Sequence, residues 1–136
     1  MQTLEKLIST HGIDVLEHLD RQVTIPVLAT AQRQGDVFVL PITTGEAKTV
    51  VPTTGTPVVR GENGGNTHAI VGDGEVFVDV VTNPSARDLR VATLLVKEGS
   101  TAYLTHPEHG YLGIAPGVYH IRRQREQAEE LRIVAD

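Results

Sequence analysis

Apolar and polar side chains alternate along much of the chain after residue 22, most regularly between Glu75 and Val81. Successive side chains of a β-strand point to opposite faces, so this alternation predicts strands with one buried face. The apolar runs recur about every 8–12 residues with turn-forming Gly, Pro, Asn or Asp between them, which is typical of sandwiches and barrels. The pattern therefore predicts a mainly β protein, either a small sandwich or a cupin-like barrel.

One turn signal stands out among the predicted strands. Gly72, Asp73 and Gly74 lie between two apolar runs and have the composition of a tight hairpin turn. We therefore expect the runs on either side of these residues to pair as a β-hairpin. The expected strands span residues 23–29, 36–40, 58–59, 67–71, 75–81, 89–96, 101–105, 111–114 and 118–123.

The first 20 residues follow a helical period instead. Apolar residues recur at helical spacing in two pieces, with a break at His11 and Gly12. Each piece is too short to be stable alone in water, so both must pack on the sheet of the same chain or on a second chain. We assign residues 1–30 to a helical extension with the first strand and residues 31–136 to a β domain; residues 126–132 are a further helical candidate. The apolar positions of the two pieces are Leu4, Leu7 and Ile8, then Val15, Leu16 and Leu19.

Composition narrows the class of protein. The 136 residues suit one domain, and a net charge of −5 argues against nucleic acid as a partner, because phosphate binding needs a surplus of Lys and Arg. The chain has no Cys, which excludes disulfides and thiolate metal sites. No apolar run approaches the ~20 residues that span a bilayer, and the first residues do not resemble a signal peptide. We expect a cytoplasmic protein that does not bind membranes.

Histidine and glutamate in two predicted loops are the candidate chemistry. His106 and His109 are three residues apart across a tight turn, and His68 lies on a strand on the same face as Ile70. With Glu62 as the fourth ligand, ahead of Glu108, they would form a cupin-like site for Zn, Ni, Mn or Fe. The rings must then converge within about 4 Å of one point, and affinity should fall as the pH drops through about 6. The alternatives are that these side chains only stabilise the turns, or that His and Glu take part in catalysis without a metal.

Several segments, taken in order, resemble a family of small uncharacterised proteins of bacteria and actinobacterial phages. The family pattern runs RQGDV, GExTGHxH, HxEH, PPGxYxVxRQRE and a final VAD, and the resemblance covers about residues 33–136. It implies no known activity. Gly64 and Asn66 depart from the pattern, and if the family binds a metal, Asn66 in place of the first histidine of HxH removes one imidazole from the site. The matching segments are 33–37 with Pro41, 61–68, 106–109, 116–119, 123–126 and 134–136.

Two function classes follow. The favoured one is a non-enzymatic structural or interaction module with a protein partner or a second copy of the chain, as in a phage particle or accessory protein assembled in the cytoplasm. The alternative is a cupin-like metal-binding protein or small-molecule enzyme using the His/Glu site. We assign no catalytic residue, because the sequence has neither a Gly-x-Ser-x-Gly elbow nor a cysteine nucleophile.

Overall fold

The computed structural model of the protein describes residues 2–15, 20–60, 67–81 and 89–123. Within these residues the chain forms one helix, α1 (Leu4–His11), and ten strands. None of the helical segments described is long and apolar enough to cross a membrane. The strands are β1 (Val27–Leu28), β2 (Gln32–Gln34), β3 (Val37–Pro41), β4 (Thr56–Val59), β5 (His68–Asp73), β6 (Val76–Val80), β7 (Arg90–Val96), β8 (Thr101–His106), β9 (Gly110–Ile114) and β10 (Gly117–Arg123).

The strands form two five-stranded sheets packed face to face. The first sheet has the order β1-β9-β8-β5-β4 and the second the order β2-β3-β10-β7-β6. Neighbouring strands are antiparallel except β1, which pairs with β9 in parallel. The prediction of a mainly β protein is confirmed, and of its two alternatives the structure takes the sandwich.

The space between the sheets is filled by aliphatic side chains. Every second residue of β3, β6 and β7 is buried, as the period-two pattern predicts. Leu94 and Ile121 from the second sheet and Ile70 and Leu104 from the first are fully buried in this layer. β-Branched and leucine side chains of this kind pack well on pleated surfaces, so the composition of the chain suits the fold.

Helix α1 covers the outer face of the first sheet. Thr3 begins it by accepting a hydrogen bond from the Lys6 N–H, and Gly12 ends it in a left-handed conformation (φ 74°). Its buried Leu4 and Leu7 belong to a second apolar cluster with sheet residues Val71, Tyr103 and Tyr111. The first helical piece therefore packs on the sheet of its own chain.

The predictions for the second helical piece, the C-terminal helix and the first strands are confirmed only in part or are not tested. Residues 13–15 are not helical, and Leu16, Leu19 and the helical candidate 126–132 lie outside the described residues. Whether residues 31–136 fold without residues 1–30 stays a prediction. The strand predicted at 23–29 is reduced to β1, because Pro26 has no N–H and the Ile25 N–H donates to Gln2 O instead. The sequence prediction missed β2.

The predicted hairpin at Gly72-Asp73-Gly74 is wrong. β5 and β6 lie in different sheets, so the chain crosses the end of the sandwich between them. The turn itself is tight, with Gly74 at φ 99° and the Glu75 N–H donating to Ser100 Oγ at 2.7 Å. β6 then pairs with the long apolar strand β7. Turn residues specify the bend, whereas the non-local pairing with β7 decides which sheet receives the next strand.

Candidate functional site

At one end of the sandwich the aliphatic layer gives way to polar side chains. His68 lies two residues before Ile70 on β5, and His106 two residues after Leu104 on β8, so alternation places both rings on the inner face of the first sheet. His109 joins them from the turn between β8 and β9. The ring centroid of His106 is 4.4 Å from that of His68 and 4.6 Å from that of His109, and the outer two are 6.3 Å apart.

Gln34 joins the two sheets at this end. It lies on β2 of the second sheet, is only 5 % exposed, and donates both amide hydrogens to carbonyls of the first sheet, Leu104 O and Gly110 O, each at 3.1 Å. Its Oε1 is therefore the atom that faces His68 Nδ1 at 3.0 Å. Because a carboxamide oxygen can only accept, His68 must carry its hydrogen on Nδ1.

His68 is consequently held as a neutral ring with a bare Nε2. Burial and, to a lesser extent, the neighbouring His106 lower its pKa to about 4, although Asp36 acts in the opposite direction. The ring is therefore uncharged at neutral pH. Its second nitrogen, the one not bonded to Gln34, presents a lone pair to the end of the sandwich.

That lone pair faces a carboxylate. His68 Nε2 is 3.6 Å from Asp36 Oδ1, and Arg123 Nε is 3.6 Å from Asp36 Oδ2. A distance of 3.6 Å is too long for a direct hydrogen bond, and a neutral Nε2 in this tautomer has no hydrogen to give. Two electron-pair donors that face each other in this way fit a cation, or the hydrogens of a water molecule, between them.

His106 has the opposite tautomer. Its Nδ1 accepts the backbone N–H groups of Glu108 at 3.0 Å and His109 at 3.3 Å, so the neutral ring carries its hydrogen on Nε2. Burial lowers the pKa of His106, and His109 adds to the effect. With one nitrogen engaged by the backbone and the other protonated, His106 in this arrangement has no lone pair to offer a metal ion.

The structure thus brings together three of the four side chains that the sequence predicts as ligands. His68, His106 and His109 converge, whereas Glu62 lies outside the described residues. Glu108 is exposed on its turn, and no set of three or more His, Asp and Glu side chains in the described ranges is arranged to hold a metal ion. The full ligand set therefore stays a prediction.

Two functional side chains were missed by sequence reasoning. Gln34 and Asp36 lie in the segment that resembles RQGDV, and neither received a chemical role from the pattern. Alternation gives no signal for either residue, because Asp36 is out of phase with the buried Val37 and Val39, and Gln34 lies on the preceding strand β2. The hydrogen bonds that give Gln34 its role join residues 70 and 76 positions apart in the chain, so no local pattern contains them.

Comparison with known proteins places the site within a family. No curated protein and no solved structure matches the chain. The model of one domain family matches residues 33–124, a range that contains every side chain of the cluster described above, from Gln34 and Asp36 to Arg123. The helix and the first strand precede the matched range. Because the match covers more than half of the sequence, the chain belongs to the family DUF8820, a domain of unknown function.

Proposed function

We propose that the protein is a metal-binding module in which His68 and Asp36 hold a divalent transition-metal ion at the end of the sandwich. The observation that carries the proposal is the fixed tautomer of His68, whose bare Nε2 faces Asp36 Oδ1 at 3.6 Å. Imidazole nitrogen with carboxylate oxygen is a ligand pair that suits Zn, Ni, Mn and Fe.

The spacing of the two donor atoms supports this function. Two ligands bound at about 2.1 Å to a tetrahedral zinc ion stand about 3.4 Å apart. The separation of 3.6 Å needs only a small side-chain adjustment to reach that value. Gln34 completes the resemblance to a metal site, because a ligating histidine almost always donates its other N–H to a fixed oxygen.

The proposed ligand set differs from the predicted one in that Asp36 takes the place of His106. His109 is exposed, and its ring lies nearly parallel to that of His68, so it is the nearest imidazole free to turn toward the ion. Glu62 stays the predicted fourth ligand. His106 has no ligand role in this proposal; its Nε2–H is a hydrogen-bond donor to a group bound at the metal.

The interaction role that the sequence favours stays a prediction with less support. It relied in part on the apolar stripe of the first helical piece. Leu4 and Leu7 of that stripe are 2 % exposed under their own chain, so they offer no surface to a partner. The histidine cluster, in contrast, has unused hydrogen-bonding capacity directed toward the end of the sandwich.

Metal titration tests the proposed function. Protein treated with a chelator and then dialysed should bind Zn, Ni or Co in calorimetry, and each metal should raise the melting temperature, because it binds only the folded site. Ca and Mg should have no effect, since these ions prefer sites built from oxygen ligands. Absence of any shift with every transition metal would refute the proposal.

Matched variants locate the site. Asp36→Asn removes the carboxylate charge from a side chain that is 48 % exposed, so it should weaken Zn binding while leaving the fold intact. His68→Gln should weaken binding further. His120→Gln, a change on β10 away from the cluster, is the control and should bind Zn like the unmodified protein. Equal affinity of the Asp36 and His120 variants would exclude this site.

The pH dependence of metal binding provides a further check. Protons compete with metal ions for imidazole nitrogen, and the sequence alone predicts a loss of affinity as the pH falls through about 6. Because burial lowers the pKa of His68 to about 4, this ligand stays unprotonated well below pH 6. Zinc affinity measured at pH 7 and pH 5.5 should therefore change less than it does for a solvent-exposed histidine site.

A further inference from the structure

A groove lies on the outer face of the first sheet, at the end of the sandwich opposite the histidine cluster. Asp73 ends β5 and pairs with Thr101, which begins β8, and Tyr103 follows Thr101 on the same face of that strand. The groove has a volume of about 360 Å³, and its lining residues are Gln2, Val27, Asp73, Thr101 and Tyr103. The sheet and the segment that precedes α1 therefore build this groove together.

Tyr103 brings to the groove a hydroxyl group that has no hydrogen-bond partner among the described residues. The side chain is only 2 % exposed, because its ring packs in the apolar cluster with Leu4 and Leu7 of α1 and edge-on to Tyr111. Its Oη is not fully enclosed, however, so the oxygen opens to the groove. A hydroxyl group at such a buried position needs a hydrogen-bond partner, and the groove is where that partner can bind.

Asp73 adds a negative charge with acceptor positions to spare. From the described residues it receives one hydrogen bond, in which Gln2 Nε2 donates to Asp73 Oδ2 at 3.3 Å, a long distance for this type of bond. An ionised carboxylate has about four acceptor positions, so Asp73 can accept further donors. Burial and, to a lesser extent, Asp73 raise the pKa of Tyr103, so the phenol stays neutral beside the charged carboxylate.

These groups suit an organic ammonium ion better than a metal ion. Calcium takes roughly six to eight oxygen ligands, whereas the described lining residues offer one carboxylate and a phenol that stays protonated. A primary ammonium group has three N–H donors and is held by a few acceptors. Val27 places an aliphatic side chain next to these acceptors, and small-molecule pockets commonly combine apolar surface with a few polar contacts.

We infer that this groove binds a small primary amine, whose ammonium group donates to the Asp73 carboxylate and to Tyr103 Oη and whose alkyl part lies against Val27. The inference goes beyond the proposed metal function and does not depend on it, because the groove and the histidine cluster lie at opposite ends and on opposite faces of the first sheet. Gln2 and Val27 precede the matched family range, so the site needs the N-terminal segment of this chain.

Three probes of equal length separate charge from apolar contact. Metal-free, isotope-labelled protein is titrated with butylammonium, butanol and butyrate, and amide signals are followed by NMR. Butylammonium should shift the signals of the lining residues and bind about tenfold more tightly than butanol, the effect of one charge-assisted hydrogen bond. Butyrate should bind more weakly than either. Equal binding of all three probes, or shifts confined to other residues, would overturn the inference.

Calcium chloride tests whether the groove is a metal site instead. At the concentrations used for butylammonium, calcium should leave the amide signals of Asp73, Thr101 and Tyr103 in place, because a single carboxylate offers too few oxygen ligands. If calcium shifts these signals and butylammonium does not, the groove prefers a metal ion and the inference is wrong.

A pair of charge variants assigns the preference to Asp73. Asp73→Asn keeps the shape of the side chain and an oxygen acceptor for Gln2 but removes the charge, so it should abolish the preference for butylammonium over butanol. Glu46→Gln removes the same charge from a side chain that is 75 % exposed and outside the groove, and it should retain the preference. Loss of the preference in both variants, or its persistence in Asp73→Asn, would contradict the inference.

Tyr103→Phe tests the hydroxyl group separately. It keeps the ring in the apolar cluster and removes an oxygen that no described residue uses, so the melting temperature should stay close to that of the unmodified protein. Affinity for butylammonium should fall about three- to tenfold, the effect of one hydrogen bond. If the variant binds butylammonium as tightly as the unmodified protein, Tyr103 Oη does not contact the ammonium group and the inferred site is wrong.

Discussion

At one end of the layer between the sheets, Gln34, His68 and His106 are nearly as deeply buried as Leu94 and Ile70 in its middle, yet the two parts are stabilised in different ways. The middle excludes water from aliphatic surface, which requires volume and shape and tolerates exchange among apolar residues. The histidine end is stabilised by individual hydrogen bonds, because each buried nitrogen or oxygen needs a donor or acceptor as its partner.

The difference indicates why the polar end exists. Burying imidazole and amide groups is unfavourable unless they are hydrogen-bonded, and apolar side chains of similar size would fill the same space at less cost. Gln34 uses all of its hydrogen-bonding groups on structure, whereas His68 uses only Nδ1. His68 Nε2 has no hydrogen-bond partner among the described residues, and it is therefore the atom that we assign to function.

The largest effect is expected in the aliphatic part. Leu94→Ala removes a fully buried side chain and should lower the free energy of unfolding by about 3–5 kcal/mol, from lost transfer energy and the cavity left behind. Chemical denaturation measures this. Leu28→Ala is the control, since that side chain is 46 % exposed and should change stability by less than about 0.5 kcal/mol. Similar effects of the two changes would mean that the core is not where the structure places it.

A pH series on metal-free protein tests the histidine end next. The ring of His68 titrates near 6.5 when unfolded and near 4 when folded, so between these values only the unfolded chain takes up the proton. Stability should therefore decrease as the pH falls from about 6.5 to about 4, by as much as about 3 kcal/mol, and this group adds no further change below pH 4. Above pH 6.5 its contribution is fully present.

The His68→Gln variant isolates this contribution. Its stability should depend less on pH between 6.5 and 4 than that of the unmodified protein, and the difference between the two proteins is the contribution of His68. Denaturant midpoints measured at half-unit pH intervals make the comparison. If the His68 variant and the unmodified protein lose stability in parallel, burial does not lower the pKa of His68 and the ring is not held neutral.

The next variant removes the hydrogen bonds that Gln34 makes to the histidine cluster and keeps every histidine. Gln34→Leu nearly preserves volume but removes the side-chain hydrogen bonds to Leu104 O, Gly110 O and the His68 Nδ1–H, which should cost about 1–3 kcal/mol. Nitrogen NMR should also show His68 losing its fixed tautomer. The exposed Gln22→Leu should change neither quantity. An unchanged tautomer in Gln34→Leu would show that another group orients the ring.

The sequence predicts the aliphatic layer of the sandwich better than it predicts the histidine end. Alternation located most strands of the aliphatic layer, because the side-chain period is a local property. It also placed His68 on the face of Ile70, and the short spacing of His106 and His109 predicted that their rings adjoin. The sheet that receives β6 was mispredicted, because pairing with β7 is decided far from the glycine turn.

The chemistry of the cluster could not be predicted in the same way. Whether a histidine offers a lone pair or a hydrogen depends on which nitrogen the fold engages. His68 and His106 look alike in sequence, yet a glutamine from the other sheet engages Nδ1 of one, and backbone amides of its own turn engage Nδ1 of the other. The oxygen partner leaves neutral His68 with a lone pair on Nε2, and the two N–H partners leave neutral His106 with a hydrogen on Nε2.

The smallest effect on stability, and the most specific one for the site, concerns Gly35. Gly35 and Gly99 both have left-handed backbones, with φ 61° and φ 78°. An alanine costs about 1 kcal/mol at either position from backbone strain. At Gly99 the added methyl group meets nothing within 4 Å, whereas at Gly35 it would lie 3.0 Å from His109 Nε2 and 3.7 Å from His68 Cε1.

Gly35→Ala and Gly99→Ala should therefore lose similar stability but differ at the histidine end. We expect Gly35→Ala to displace the His109 ring and weaken zinc binding by about tenfold, the lower range for changes beside metal ligands. Gly99→Ala should bind zinc like the unmodified protein. Calorimetry gives the affinities, and the ring signals of His109 report its displacement. If His109 moves and zinc affinity does not, His109 is not a ligand and the remaining donors must come from elsewhere. If neither changes, the contact between Gly35 and His109 does not position the ring.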